Sequence, residues 1–388
     1  MNIKMSVEEI LAKLVSFPVL GGQSNTSIIT WIKEYVESFG IPTVLVPHAI
    51  EEKASLHCRI GPAVNEGVIL SGHTDVVPVA GQDWSTNPWE LTDKGDGKLY
   101  GRGSCDMKGF IACVLAVLPE MIKADLQRPI YFAFSYDEEI GCLAAPELIE
   151  AITDHYDEKP KFAIIGEPSL MQPMIGQKGI VIYETVVNGS AGHSSRIRQE
   201  VSAIHESARL ILWLESKMNG LVEAGHVDER FTPPHTSIHC GIVQGGIAPN
   251  VIADKAVFNW DVRVIPKDIA KNILTDFEQH CRQRENELRA VFPAFKIETR
   301  EIHPDVPALD TAETDEIVGF VQELGQNPTW STVSYAAEAG QFAAGGYQAI
   351  ICGPGSIEQA HRADEFIAKS ELERGVKMIR QLVQKLST

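Results

Sequence analysis

Residues 130–141 read IYFAFSYDEEIG. An apolar, aromatic-rich run of strand length ends directly in three acids, Asp137, Glu138 and Glu139. Adjacent carboxylates repel one another, and each is costly to take out of water. Their position at the mouth of a core strand therefore predicts one of two things: a solvated cluster or a cation.

The same pattern recurs outward from this stretch. Short apolar runs at Val68–Ser71, Phe162–Ile165 and Gln348–Ile351 also stop abruptly at polar or glycine-rich residues. Between them lie helix patterns at Ser24–Phe39 (ended by Gly40), Met107–Met121 and Ser370–Leu386. Ser370 with Glu373, and Ser6 with Glu9 near the chain start, have the spacing of capping boxes. Strand and helix patterns in alternation predict an α/β fold.

The middle of the chain reads differently. Residues 180–187, IVIYETVV, predict a strand, and Val201, Ile204, Ala208, Ile211 and Leu212 predict one face of a helix. Two further strands are expected in HTSIHCGIV (235–243) and AVFNWDVRVI (256–265), then a helix from Pro266 to about Ala290. The order β-α-β-β-α predicts an inserted α+β sandwich over residues 177–293. Residues 1–176 and 294–388 would then form one discontinuous, doubly wound α/β domain.

The 388 residues are 44% hydrophobic and 22% charged, an ordinary composition for a soluble chain of two domains. With 34 Lys and Arg against 52 Asp and Glu, the formal charge is −18. That balance argues against nucleic acid and anionic membrane as partners. No apolar run reaches membrane-span length. Seven cysteines, an odd count without a Cys-x-x-Cys pair, predict reduced thiols. The opening MNIKMSVEEILAKLVSF carries acids where a signal peptide would be apolar. A cytoplasmic location is expected.

Candidate ligands share one address. His73 follows VILS in SGHTD (71–75), Glu138 and Glu139 follow IYFAFS, and Glu167 follows FAII in GEP (166–168). His361 ends GPGSIEQAH (353–361), after QAIIC. In an open α/β sheet ligands bind outside the carboxyl ends of the strands. Asp106 joins the set in GRGSCDMKG (101–109), at the start of a helix and among glycines that permit a tight path. GRGS lacks the third glycine and the preceding strand of a dinucleotide fingerprint. Two imidazoles and several carboxylates form a mixed N/O set suited to zinc, cobalt or manganese.

SGHTDVVPV, GRGSCDMKG, YDEEIG, GEP and the terminal histidine resemble, in order and over most of the chain, the two-metal M20 peptidase and deacylase family. The ending GPGSIEQAHRADEF, with SYAAEAGQF before it, is most similar to the branch that hydrolyses N2-acetyl-L-ornithine. The resemblance implies two divalent ions, zinc or cobalt, bridged by Asp106. His73 and Glu167 would hold one, Glu139 and His361 the other. It makes Glu138 the general base that takes a proton from water and returns it to the leaving nitrogen. Asp75, two residues past His73, is expected to accept the other imidazole N–H with its carboxylate. Asp137 has no role in this scheme and is read as solvated.

By the same resemblance, His193 in SAGHSS (190–195) reaches the site of a neighbouring subunit and donates to the oxyanion, which implies a homodimer through the insert. Arg263 and Asn250 match positions facing the carboxylate of a small N-acyl amino acid. Gly355 and Ser356 are candidate donors beside His361, and Glu338 a candidate partner for the ornithine ammonium. Where the acetylornithine-cleaving branch continues from HSS into proline and glycine, this chain reads HSSRIRQEVSAI, with Arg196 and Arg198. Another deacylase of the family, acting on acetylcitrulline or succinyl-diaminopimelate, and a non-catalytic binding relative are the alternative readings.

Overall fold

The computed structural model describes residues 5–388. The chain forms two compact units. The first takes the chain up to Gly176, with Leu309–Thr332 and Ala337–Thr388. The second takes Gln177–Ala308 and Val333–Ala336.

The first unit is α/β. Its sheet carries, in spatial order, Thr43–Pro47, Ala54–Ile60, Ile130–Ser135, Val68–His73, Phe162–Pro168 and Gln348–Gly353. The last four are mutually parallel and the first two antiparallel. Side chains alternate between the two faces. Val68, Leu70, Phe132, Phe134 and Ile164 join the main core with Val7–Val15, Thr26–Ser38, Lys108–Met121, Glu316–Gly325 and Lys369–Leu386. The opposite face meets Ala145–His155 and Ala339–Ala344. Lys108–Met121 is apolar around its whole circumference, and such a helix must be covered on every side. The sheet, Val7–Val15 and Lys369–Leu386 cover it.

Ser6 and Glu9 form the expected capping box. Ser370 and Glu373 do not. The last helix starts at Lys369, directly after the strand Phe366–Ala368, with Ala368 as N-cap, so Ser370 already lies inside the helix.

The second unit is an antiparallel sheet in the order Ser237–Gly245, Lys255–Val264, Gly179–Asn188 and Lys296–Val306. The helices Ala203–Glu223 and Ala270–Leu288 lie on one face, around Trp260, Phe258 and Phe277. The two central strands show strict alternation of buried and half-buried residues, as one-sided burial requires. Two expectations change here. Residues 294–308 belong to this unit, because Lys296–Val306 pairs with Gly179–Asn188 along most of its length. The helix Ala203–Glu223 buries Ala203, Ser207, Leu210 and Leu214, whereas Ile204 and Leu212 are exposed. No helix among the described residues is long and apolar enough to cross a membrane.

Candidate metal centre

Parallel register sets the site. Ser71 stands beside Ala133 on one neighbour and Ile165 on the other, and His73 is level with Ser135. The residues just beyond, Glu138, Glu139 and Glu167, therefore emerge at the same end of the sheet as His73. Gly166 lets this end close. A Cβ there would lie 2.0 Å from the ring of Phe110, on the helix that follows Asp106. Glycine thus brings Glu167 down against the Asp106 loop.

The Nδ1–H of His73 is donated to the carbonyl of Asp75 at 2.9 Å. That orients the ring and leaves Nε2 facing the acids. Nε2 stands 3.1 Å from Asp106 Oδ1, 3.7 Å from Glu167 Oε1 and 4.0 Å from Glu138 Oε2. The other oxygen of Asp106, Oδ2, faces His361 Nε2 at 3.4 Å, and Glu139 Oε2 lies 2.9 Å from the same nitrogen. Asp106 thus presents one oxygen to each imidazole, as a bridging carboxylate must.

Burial and mutual repulsion dominate the electrostatics. Burial, with Asp106 nearby, lifts Glu139 to about 7. Burial lifts Glu138 and Glu167 well above the usual carboxylate range. Burial also works to raise Asp106, but hydrogen bonds from His361 and His73 hold it well below its ordinary value. The same contacts, with Asp106 first and Glu139 second, push His361 up to about 10.

These residues fit divalent ions. Two overlapping groups, His73–Glu138–Glu167 and His73–Asp106–Glu139, each offer ligand atoms within 4.8 Å of one another. Glu167 Oε1 is buried without a hydrogen-bond partner. Four crowded carboxylates whose ion-pair partners among the described residues are imidazoles would be stabilised most directly by cations between them. Glu138, expected as a base and not as a ligand, lies within ligand reach of His73.

Several expected placements change. The carboxylate of Asp75 is 3.6 Å from His73 Nδ1; its two oxygens instead accept the backbone N–H groups of Glu138 and Glu139, each at 3.2 Å. Asp75 therefore anchors the acidic turn. Asp137 is buried, not solvated. It pairs with Lys53 at 2.7 Å and accepts the N–H of Gly22 at 2.8 Å, with φ at +55°. Glu338, expected to meet a substrate ammonium, is 1% exposed and accepts from Ser71 Oγ at 3.3 Å. The N–H of Gly355 is already given to Glu371 at 3.1 Å, and the Ser356 hydroxyl accepts from Glu358 N–H.

His193, Asn250 and Arg263 belong to the second unit. There His193 pairs with Val251 across a short antiparallel bridge, and Ser194 N–H reaches the carbonyl of Asn250 at 3.0 Å. The His193 ring is exposed and meets Ser195 Oγ at 2.8 Å. Arg196 is engaged locally with Gln199.

Cys142 and Lys53 were not singled out by the sequence. The thiol of Cys142 donates to Glu138 Oε1 at 3.4 Å. Its place four residues after Glu138 was a usable signal, since the turn between them folds back through Cys142 N–H to Glu138 carbonyl at 2.9 Å.

Imidazoles and shared carboxylates at the carboxyl ends of parallel strands define a metallohydrolase centre. The chain belongs to peptidase family M20/M25/M40, whose sequence model matches residues 69–385, and it is a metallo-amidohydrolase. It is similar to acetylornithine deacetylase of Proteus mirabilis (strain HI4320), 30% identical over 99% of this chain and 98% of the relative. It is also similar to acetylornithine deacetylase of Myxococcus xanthus, 33% identical over 94% and 93%. Among solved structures, a tripeptidase from Staphylococcus aureus shares the fold, with TM-score 0.78 at 20% identity over 100% of this chain and 99% of that one.

Proposed function

We propose that this protein hydrolyses the N-acyl amide of a small amino acid, N2-acetyl-L-ornithine before others, giving L-ornithine and acetate for arginine biosynthesis. The observation that carries the hydrolytic reading is Asp106, which turns one oxygen to His73 and the other to His361. The substrate assignment is supported by the identity to acetylornithine deacetylases over nearly the whole chain.

His73, Asp106, Glu139, Glu167 and His361 would hold two divalent ions, zinc or cobalt. When bound, such ions supply Lewis acidity and lower the pKa of water at the site. Glu138 is the group that accepts a proton from the attacking water. Its backbone is tied to Asp75 and its carboxylate to the Cys142 thiol, so it is aimed before substrate arrives. Burial raises its proton affinity, which suits a group that must take a proton and then deliver it to the leaving nitrogen. His193 is assigned as oxyanion donor, and Arg263 with Asn250 as donors to the substrate carboxylate. Arg263 has its side chain 39% exposed, and its ion pair with Asp261 at 3.6 Å is longer than a hydrogen bond, which suits that role.

A homodimer through the second unit is supported by its outer edge strand. Ile242 and Val243 are 53% and 59% exposed there, and Leu212 on the adjoining helix is 59% exposed. Unpaired edges and apolar patches of this kind are surfaces for another chain. The seven free thiols, six of them buried, support a cytoplasmic setting.

The test is turnover of acetylornithine, acetylcitrulline, acetylmethionine and succinyl-diaminopimelate by metal-stripped protein reloaded with zinc or with cobalt. Acetylornithine should give the highest kcat/KM. A higher value for succinyl-diaminopimelate would reassign the acyl group, and no hydrolysis of any of the four would favour the binding-relative reading.

A further inference from the structure

His361 differs from the expected ligands carried by the sheet. His73, Glu139 and Glu167 lie at or just beyond the ends of buried strands, whereas His361 sits on a loop with its side chain 57% exposed and φ at +62°. A non-glycine residue keeps such a backbone only where surrounding contacts over-determine it. The contacts here come from a segment outside every ligand motif. The side-chain amide of Gln82 donates to the carbonyl of His361 at 2.9 Å. Three residues on, the N–H of Ser85 is given to Asp364 Oδ1 at 2.8 Å, and Asp364 also has a positive φ, +54°.

Gln82 is itself held. Its Oε1 accepts from Arg102 Nη2 at 2.5 Å and from the Trp84 indole at 3.1 Å, and the Arg102 guanidinium lies over the Trp84 ring. Arg102 Nη1 then reaches Glu365 Oε2 at 2.7 Å. Both members of that pair are 1% exposed. The Glu365 carboxylate is saturated by the loop that carries Asp106. It accepts the N–H of Gly103 at 3.0 Å, of Cys105 at 2.9 Å and of Asp106 at 3.1 Å. The path closes on itself: Asp106 and His361 meet at the centre through their side chains, and behind it through Glu365, Arg102 and Gln82.

We propose that Gln82 is a positioning residue of the metal centre, coupling the placement of His361 to that of Asp106 through Arg102 and Glu365. The proposal rests on the reading that the cluster holds two divalent ions. Gln82 touches neither ion nor substrate; it acts on the subsite made by His361, Glu139 and Asp106. The subsite of His73 and Glu167 is built on strands and shares only Asp106 with this frame, and Glu365 still holds the Asp106 loop when the contact from Gln82 to His361 is lost.

The decisive variant is Gln82→Glu. A carboxylate at this position still accepts from Arg102 and Trp84 but has no N–H for the His361 carbonyl. Metal-stripped, full-length protein is titrated calorimetrically with zinc alone, and its metal-free melting temperature is recorded alongside. Wild type should bind two ions. Gln82→Glu should bind one with wild-type affinity and the other about 10- to 100-fold more weakly, the range for residues that orient ligands. Its metal-free melting temperature should match wild type. Gln82→Met, which adds no charge but removes the acceptor for Arg102 and Trp84 as well as the donor, should weaken the same ion at least as much. Two wild-type affinities in either variant would overturn the proposal, because packing against Arg102 would then be the only role of Gln82. Failure of wild type to bind any divalent ion would remove the metal reading and this proposal with it, an outcome distinct from two unaltered sites.

Discussion

The polar residues of the two units are held in opposite ways. In the first unit, Asp106, Glu139 and Glu167 have side chains no more than 8% exposed, and the segments that carry them are fixed by backbone donors, buried ion pairs and parallel strand register. In the second, the His193 ring and Asn250 are exposed and Arg263 is accessible, with few contacts beyond Ser195 and a shared loop hydrogen bond. The difference follows from what the proposed function asks of each set. Carboxylates crowded together in a dry place are tolerable only if their geometry is set in advance to receive cations. Groups that meet a diffusing molecule must first be reachable, and they become ordered on contact.

Glu138 is where this contrast breaks most visibly, with the largest expected effect. It lies in the crowded set, yet its assigned work is proton transfer. Glu138→Ala should lower kcat by about 10²- to 10⁴-fold, the usual contribution of a positioned base, while metal analysis still finds two ions per chain. Loss of one ion in step with activity would make Glu138 a ligand like its neighbours.

His193 tests the other side. His193→Ala should leave metal content and melting temperature at wild-type values and lower kcat by about 10²- to 10³-fold, as removal of an oxyanion donor does. If the histidine serves a second subunit, mixing this variant with Glu138→Ala protein should regenerate activity in the hetero-dimers, each of which contains one intact site. No regeneration, measured after subunit exchange is complete, would confine His193 to its own chain.

The parts of the site legible in sequence are those set locally. IYFAFS, VILS and FAII are short apolar runs with a ligand immediately behind them, and parallel pairing then brings their ends together whatever the intervening sequence. What escaped notice depends on partners far along the chain. Asp137 reads as one more surface acid until Lys53, 84 positions away, is found against it. Gln82 lies in an unremarkable loop, and its partner His361 is 279 positions on. The strand Lys296–Val306 is faint in the sequence for a different reason. KIETREIHPDV is an edge strand with most of its residues half-buried or exposed, so it carries little of the apolar signal that marks its partner Gly179–Asn188.

The exposed edge strand of the second unit supplies the smallest expected effect on the fold and the sharpest form of the contrast. Val243 is 59% exposed and pairs only inward, with Phe258. Lysine there removes little buried surface, so the stability of the isolated chain should change by no more than about 0.5 kcal/mol, and metal content should not change. Association is another matter. A charge on an edge that pairs with its own copy is repeated across the two-fold axis, and like charges opposed between strands are repelled. Val243→Lys should therefore shift the sedimentation coefficient from dimer to monomer and reduce kcat to the level of His193→Ala, since each site would lose its neighbour's histidine while keeping its own ions. A Val243→Lys protein that is monomeric yet fully active would separate association from catalysis and confine the oxyanion donor to the chain that carries the ions.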